Sequence, residues 1–145
     1  MKEKYELYKH ILKDSDMSVF SLEKLLDDLK DRDNKIKTTV EDILKGYERY
    51  LKKVQSALKK NKCDLEYDGM MAKAGARVGI KMEVKKDNSD SSIADMLIKG
   101  ISMGTIDMEK KIHQYENEVG KDELKFAKEF LGFQQDVIDS LKKFL

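Results

Sequence analysis

Three side chains in the second half of the chain have the types and spacing from which a metal site in a helix bundle is built. In EKKIHQYE, residues 109–116, the side chains Glu109, His113 and Glu116 fall within about two turns of a helix. Di-metal centres in helix bundles use a glutamate from each of two helices and Glu-x-x-His from each of the other two, all directed inward. This stretch could therefore bind iron or manganese, or it could simply present a polar helix face to solvent.

The direction of these side chains argues against a metal site. The apolar stripe of this helix consists of Ile93, Leu97, Gly100, Gly104, Met108 and Tyr115. At about 100° per residue, His113 points roughly opposite that stripe, and Glu109 and Glu116 lie off its centre. The spacing also differs, because His113 lies four positions after Glu109 instead of three, and the order of His113 and Glu116 is reversed. We expect no catalytic residue, cofactor or metal ion, and iron or manganese at these three residues is the alternative.

The other helices offer no better set of ligands. His10 is predicted to point away from the core side of the first helix, which is marked by Leu12. The polar residues predicted to lie inside the bundle are Ser15 and Gln134. A hydroxyl and an amide are poor ligands for a di-iron centre, which prefers carboxylate and imidazole.

A basic stripe at four-residue steps is the second candidate site, an interaction face formed by Lys73, Arg77, Lys81 and Lys85. The opposite face carries Met71, Ala74, Val78 and Met82. A basic, amphipathic segment of this kind is typical of a helix at a membrane surface. The interpretation we favour is a helix that packs through its methionine and valine side and leaves its basic side chains in water.

Two glycines lie one turn apart on the apolar stripe of the helix that contains His113. Gly100 and Gly104 each cost up to about 1 kcal/mol of helix stability relative to alanine, so something should compensate. We expect the close approach of another helix or of an aromatic ring, with Tyr47 and Tyr50 as candidates. A ligand cavity beside the glycines is the alternative.

The elements that must position these residues follow from the periodicity. Apolar residues recur every three or four positions, and the chain has no proline, which together predict an all-α fold. The residues DRDN, 31–34, interrupt the first stripe, because aspartate and asparagine favour caps and turns. We predict helix A at 2–30, helix B at 34–60, a crossover helix at 68–85, helix C at 92–117 and helix D at 121–144, in one domain of residues 1–145.

Helices A and B are joined by a short turn, as are C and D, and a long crossover connects B to C. Two hairpins with one long crossover form the ferritin-like path through an antiparallel four-helix bundle. The segments MAKAGARVGIKM, SSIADMLIKGISMG and KFAKEFLGFQQDVIDSLKKFL also resemble a bacterial ferritin-like family of clostridia and related Firmicutes. The likeness covers most of residues 60–145. It implies such a bundle with an added helix in the crossover, and it implies no activity, because that family has no assigned chemistry.

Helix D carries aromatic residues beyond its main apolar stripe. These are Phe126, Phe130, Phe133 and Phe144, and with Ile98 and Ile106 of helix C they predict a second buried surface. We expect the crossover helix to cover it, and a second copy of the chain in a homodimer is the alternative.

Bulk properties narrow the class of protein. The 145 residues include 39% charged side chains, yet the formal net charge is +1, so we expect no nucleic-acid partner. Cys63 is the single cysteine, which excludes an internal disulfide and suits a reducing compartment. The start of the chain has no signal-peptide pattern, and no run approaches the roughly 18 apolar residues of a membrane span. We expect a cytoplasmic protein.

The sequence therefore favours a non-enzymatic ferritin-like scaffold or interaction protein that acts through a protein partner or self-association. A metal-binding protein or oxidoreductase that uses Glu109, His113 and Glu116 is one alternative. Association with a membrane surface or a polyanion through the basic stripe is another.

Overall fold

The computed structural model describes residues 4–145, which form five α-helices and no strand. The helices are α1 (Glu6–Asp28), α2 (Ile36–Lys60), α3 (Met70–Lys86), α4 (Asp90–Tyr115) and α5 (Lys121–Lys142). The predicted all-α class is confirmed, and the helices follow the predicted order with ends that differ by a few residues. The predicted start of helix A at residue 2 lies outside the described residues.

Four long helices form the bundle, and α3 lies outside it. Hairpins join α1 to α2 and α4 to α5, and the α1–α2 and α4–α5 interfaces are the most extensive. Helix α1 also contacts α4, α5 and α3, so it is the central element of the fold. The core contains apolar residues from all four bundle helices, among them Leu12, Val40, Met108 and Phe130. The predicted interior polar residues, Ser15 and Gln134, are both fully buried.

The turn between α1 and α2 also holds the start of α4. Asn34 Nδ2 donates to the Asn88 carbonyl and to Asp90 Oδ1, both at 2.9 Å. Ser89 is the N-cap of α4, and its Oγ accepts from the Ser92 backbone N–H at 3.1 Å. The hydrogen bonds of Asn34 therefore attach the end of the crossover to the turn between α1 and α2, and they fix where α4 begins.

A side chain from α5 caps the first turn of α1. Tyr5, the N-cap residue of α1, makes no side-chain cap hydrogen bond. Instead Glu123 Oε2 accepts from the Leu7 N–H at 2.9 Å and from the Tyr8 N–H at 3.2 Å. A carboxylate in this position satisfies two helix N–H groups that have no partner within their own helix.

An aromatic cluster joins α2 to α5. The ring of Phe133 lies 5.0 Å from the ring centroids of both Tyr47 and Tyr50. Phe126 and Phe130 extend the cluster. Gly46 permits the close approach, because a Cβ there would overlap the Phe133 ring. The expectation that the crossover helix covers this surface is wrong for Phe126, Phe130 and Phe133, because tyrosines of α1 and α2 pack against them. Ile106, which was predicted to belong to the same surface, is 52% exposed.

Candidate functional site

The three residues that could have bound metal do not come together. Glu109, His113 and Glu116 are all exposed near the C-terminal end of α4. Within residues 4–145, no group of three or more His, Cys, Asp or Glu side chains is placed to hold a metal ion. These side chains present a polar surface.

The four basic residues of α3 do not form one free face. Lys73 Nζ lies 2.9 Å from Asp16 Oδ2, and Arg77 donates to Asp28 Oδ2 at 2.7 Å. Arg77 also donates to the Lys24 carbonyl at 3.2 Å. Lys73 and Arg77 therefore attach α3 to α1, while Lys81 and Lys85 are exposed.

The methionine and valine side of α3 faces solvent, which reverses the orientation predicted from the sequence. Met71 is 89% exposed and Met82 is 65% exposed, and Ala74 and Val78 are also exposed. The physical reason is the charge of the partner helix. Because α1 presents Asp16 and Asp28 on this side, Lys73 and Arg77 turn inward and the methionines turn outward. The partly buried Ile80 and Val84 turn inward together with them.

Helices α1, α3 and α4 line an open crevice of about 770 Å³. This volume falls within the range of about 300–1,000 Å³ that is usual for small-molecule sites in proteins. Its walls are largely apolar, and they include Met17, Leu22, Ile80, Met96, Leu97 and Ile101. A polar part of the lining, called the polar floor below, consists of His10, Asp14, Tyr47 and Gln134, and two of these, Tyr47 and Gln134, are fully buried.

A hydrogen-bonded set of side chains forms this polar floor. Gln134 Nε2 donates to Asp14 Oδ2 at 3.1 Å and lies 3.3 Å from the Tyr47 hydroxyl. Ser18 Oγ donates to Asp14 Oδ1 at 3.0 Å. Asp14 thus accepts two neutral donors, and no described residue forms an ion pair with it. A largely buried carboxylate held only by neutral groups is costly unless a cation joins it or it binds a proton.

Two further polar atoms at the floor have no hydrogen-bond partner among residues 4–145. They are Oε1 of Gln134 and Nε2 of His10, and both atoms are buried. Buried side-chain polar atoms are usually hydrogen-bonded, so two atoms without a partner in one place need an explanation. Both belong to side chains that line the same crevice.

Burial changes the pKa values of the floor residues. It raises the pKa of Asp14 above its usual value, although hydrogen bonds from Ser18 and Gln134 and the nearby His10 act in the opposite direction. Burial lowers the pKa of His10, which keeps its imidazole neutral near pH 7. Burial, reinforced by Asp14, raises the pKa of Tyr47, so its hydroxyl stays protonated. Each shift disfavours the charged form of a group that lies in a poorly solvated place.

The two glycines of α4 have different surroundings. A Cβ at Gly104 would lie 3.0 Å from Asp14 Oδ2 and 3.2 Å from Gln134 Nε2, so this glycine lets α4 approach the polar floor. A Cβ at Gly100 would meet no described atom within 4 Å, and Gly100 lines the crevice. The expected close approach of another helix therefore holds at Gly104, where side chains of α1 and α5 lie nearest instead of Tyr47 or Tyr50, and the cavity alternative describes Gly100.

Sequence reasoning missed His10 and Asp14. His10 was expected to point away from the core, but α4 packs against this flank of α1 and closes over it. A signal does exist in the sequence: His10, Asp14 and Ser18 recur at four-residue steps and therefore share one side of α1. Nothing in the sequence separates such a stripe from an ordinary solvated one.

No described helix is both long enough and apolar enough to cross a membrane. No family model matches the chain, and comparisons with curated proteins and with solved structures gave no match.

Proposed function

We propose that this protein is a non-enzymatic binding protein that holds a small, mainly apolar molecule in the crevice between α1, α3 and α4. The observation that carries this proposal is the fully buried amide of Gln134, which lines the crevice and has an acceptor oxygen with no partner among the described residues. The apolar walls supply affinity, and the few polar groups on the floor supply orientation.

The glycines of the walls support the same function. Gly79 on α3 and Gly100 on α4 both line the crevice, and a Cβ on either would meet no described atom within 4 Å. Each interior helix glycine costs about 0.5–1 kcal/mol relative to alanine. At these two positions the absence of a side chain leaves the crevice open.

A neutral, environment-sensitive dye such as Nile red tests this proposal. We expect saturable binding to the wild-type protein, with at least about tenfold weaker binding (about 1.4 kcal/mol) to Gly100→Leu, whose side chain enters the crevice. Gly132→Leu is the matched control, because it places the same side chain on α5 at a position with no described atom within 4 Å and outside the crevice lining. Equal dye binding by both variants would place the dye elsewhere and refute the proposal.

A second candidate function is association with an anionic membrane surface through the outer side of α3. Met71, Val78 and Met82 are exposed there beside the exposed Lys81 and Lys85. Apolar groups flanked by lysines fit the boundary between lipid headgroups and acyl chains. Sedimentation with phosphatidylserine vesicles tests it, and pelleting should fall in Lys81→Gln/Lys85→Gln. These two lysines are chosen because changing Lys73 or Arg77 would also detach α3 from α1.

We also propose that the bundle follows the ferritin-like path. The support is the arrangement of two tightly packed hairpins, α1–α2 and α4–α5, joined by the long segment that contains α3. The proposed function does not require a metal at Glu109, His113 and Glu116.

A further inference from the structure

The crevice is strongly acidic for its size. Its charged lining consists of the carboxylates of Asp14, Asp68, Glu83 and Asp107 and the single amine of Lys13. An anionic ligand would be repelled by this surplus of negative charge, whereas a cation would be attracted to it. The sign of the charge therefore limits which class of small molecule can enter.

The hydrogen-bonding groups of the floor limit the ligand further. The available groups are acceptors: the Asp14 carboxylate, Oε1 of Gln134, and Nε2 of His10 when the proton of the neutral imidazole is on Nδ1. A hydroxyl group on a ligand offers one donor to such a set. A primary ammonium group offers three donors and a positive charge.

We infer that the crevice binds a primary amine with an apolar body, whose ammonium group pairs with Asp14 and donates to Gln134 Oε1. This inference rests on the proposed function, since it names the chemical class of the ligand. The apolar body lies against the methionine and leucine side chains of the walls. The ammonium group supplies the cation that Asp14 otherwise lacks among the described residues.

Two naphthalene compounds of the same skeleton test the inference: 1-naphthylmethylamine, which is a cation at neutral pH, and 1-naphthylmethanol, which is neutral. Each is used to displace Nile red from the wild-type protein at pH 7. We expect the amine to bind at least about tenfold more tightly than the alcohol, a difference of about 1.4 kcal/mol. The comparison needs no variant, so it does not depend on the folding of a mutant.

Asp14→Asn then identifies the group responsible, and the preference for the amine over the alcohol should fall by most of that factor. Asp27→Asn is the matched control, because it removes the same charge from an exposed position on the same helix and should keep the preference. Circular dichroism confirms that both variants are folded.

The possible failures are distinguishable. If the alcohol displaces the dye as well as the amine does, the inference is overturned while the proposed function stands. If the dye binds but neither compound displaces it, the inference is overturned while the proposed function stands. If the dye itself does not bind, the proposed function fails, and the inference fails with it. A preference for the amine that survives Asp14→Asn would also overturn the inference, because it would place the ammonium group away from the floor.

Discussion

Replacing each of the two glycines of α4 by alanine tests the geometry of the polar floor. The substitutions lie one helical turn apart on the same helix, so the gain in helix propensity is about the same in both, roughly 0.5–1 kcal/mol. They differ in what the new methyl group meets. At Gly100 it meets no described atom within 4 Å, and at Gly104 it lies 3.0 Å from Asp14 Oδ2 and 3.2 Å from Gln134 Nε2.

The size of the difference follows from these contacts. Gly100→Ala should raise the free energy of unfolding by the propensity gain alone. Gly104→Ala must displace Asp14 or Gln134 and so weaken the 3.1 Å hydrogen bond between them. Because a hydrogen bond to a charged group contributes about 1.5–3 kcal/mol, this loss outweighs the propensity gain. We expect Gly104→Ala to be about 1–2 kcal/mol less stable than Gly100→Ala, even after partial relaxation of the floor.

Urea denaturation followed by circular dichroism measures both variants. The midpoint should rise for Gly100→Ala and fall to or below the wild-type value for Gly104→Ala, with unchanged slopes that show that the exposed surface on unfolding is the same. If Gly104→Ala stabilises the protein as much as Gly100→Ala does, α4 does not press against Asp14 and Gln134, and the account of the floor is refuted.

Three further predictions concern single side chains. Asp14→Asn should be more stable than wild type, and its advantage should grow as pH rises. Burial raises the folded-state pKa of Asp14 above 3.8, so wild-type stability falls as pH rises from 3.8 to the folded-state pKa and levels off above it. Denaturation at several pH values measures this, and a pH-independent difference would contradict it. Gly46→Ala should lower the free energy of unfolding by about 1–3 kcal/mol, because its methyl group overlaps the Phe133 ring. Thermal unfolding tests this against Gly132→Ala, where no described atom lies within 4 Å, and equal melting temperatures would argue against the close contact. Glu123→Ala should lower the free energy of unfolding by about 1–3 kcal/mol, because it leaves two N–H groups of α1 unpaired. Glu123→Gln keeps an acceptor oxygen and should lose less stability, and similar losses in both variants would show that the cap does not matter.

Much of the fold could be predicted because it depends on local periodicity. The apolar repeat located all five helices, and the same repeat placed Ser15 and Gln134 among the buried residues. The turn at 31–34 was also predictable, since aspartate and asparagine stabilise turns through their own side chains.

The candidate site was less predictable because its residues come from different helices. His10 and Asp14 lie on a flank of α1 that a single helix would leave in water, and only the approach of α4 through Gly104 encloses them. A cavity beside Gly100 is one of two alternatives that the sequence allows, because the sequence alone does not say whether a neighbour fills the space next to a glycine.

The sequence by itself determined the number, order and extent of the helices, since each of the four bundle helices buries an apolar stripe that recurs every three or four residues. Tertiary structure decided which way α3 faces. Its basic and apolar sides are both plausible inner surfaces until the carboxylates of Asp16 and Asp28 on α1 draw Lys73 and Arg77 inward. Pairing between distant charges depends on which helices become neighbours, and that information is not local to either helix.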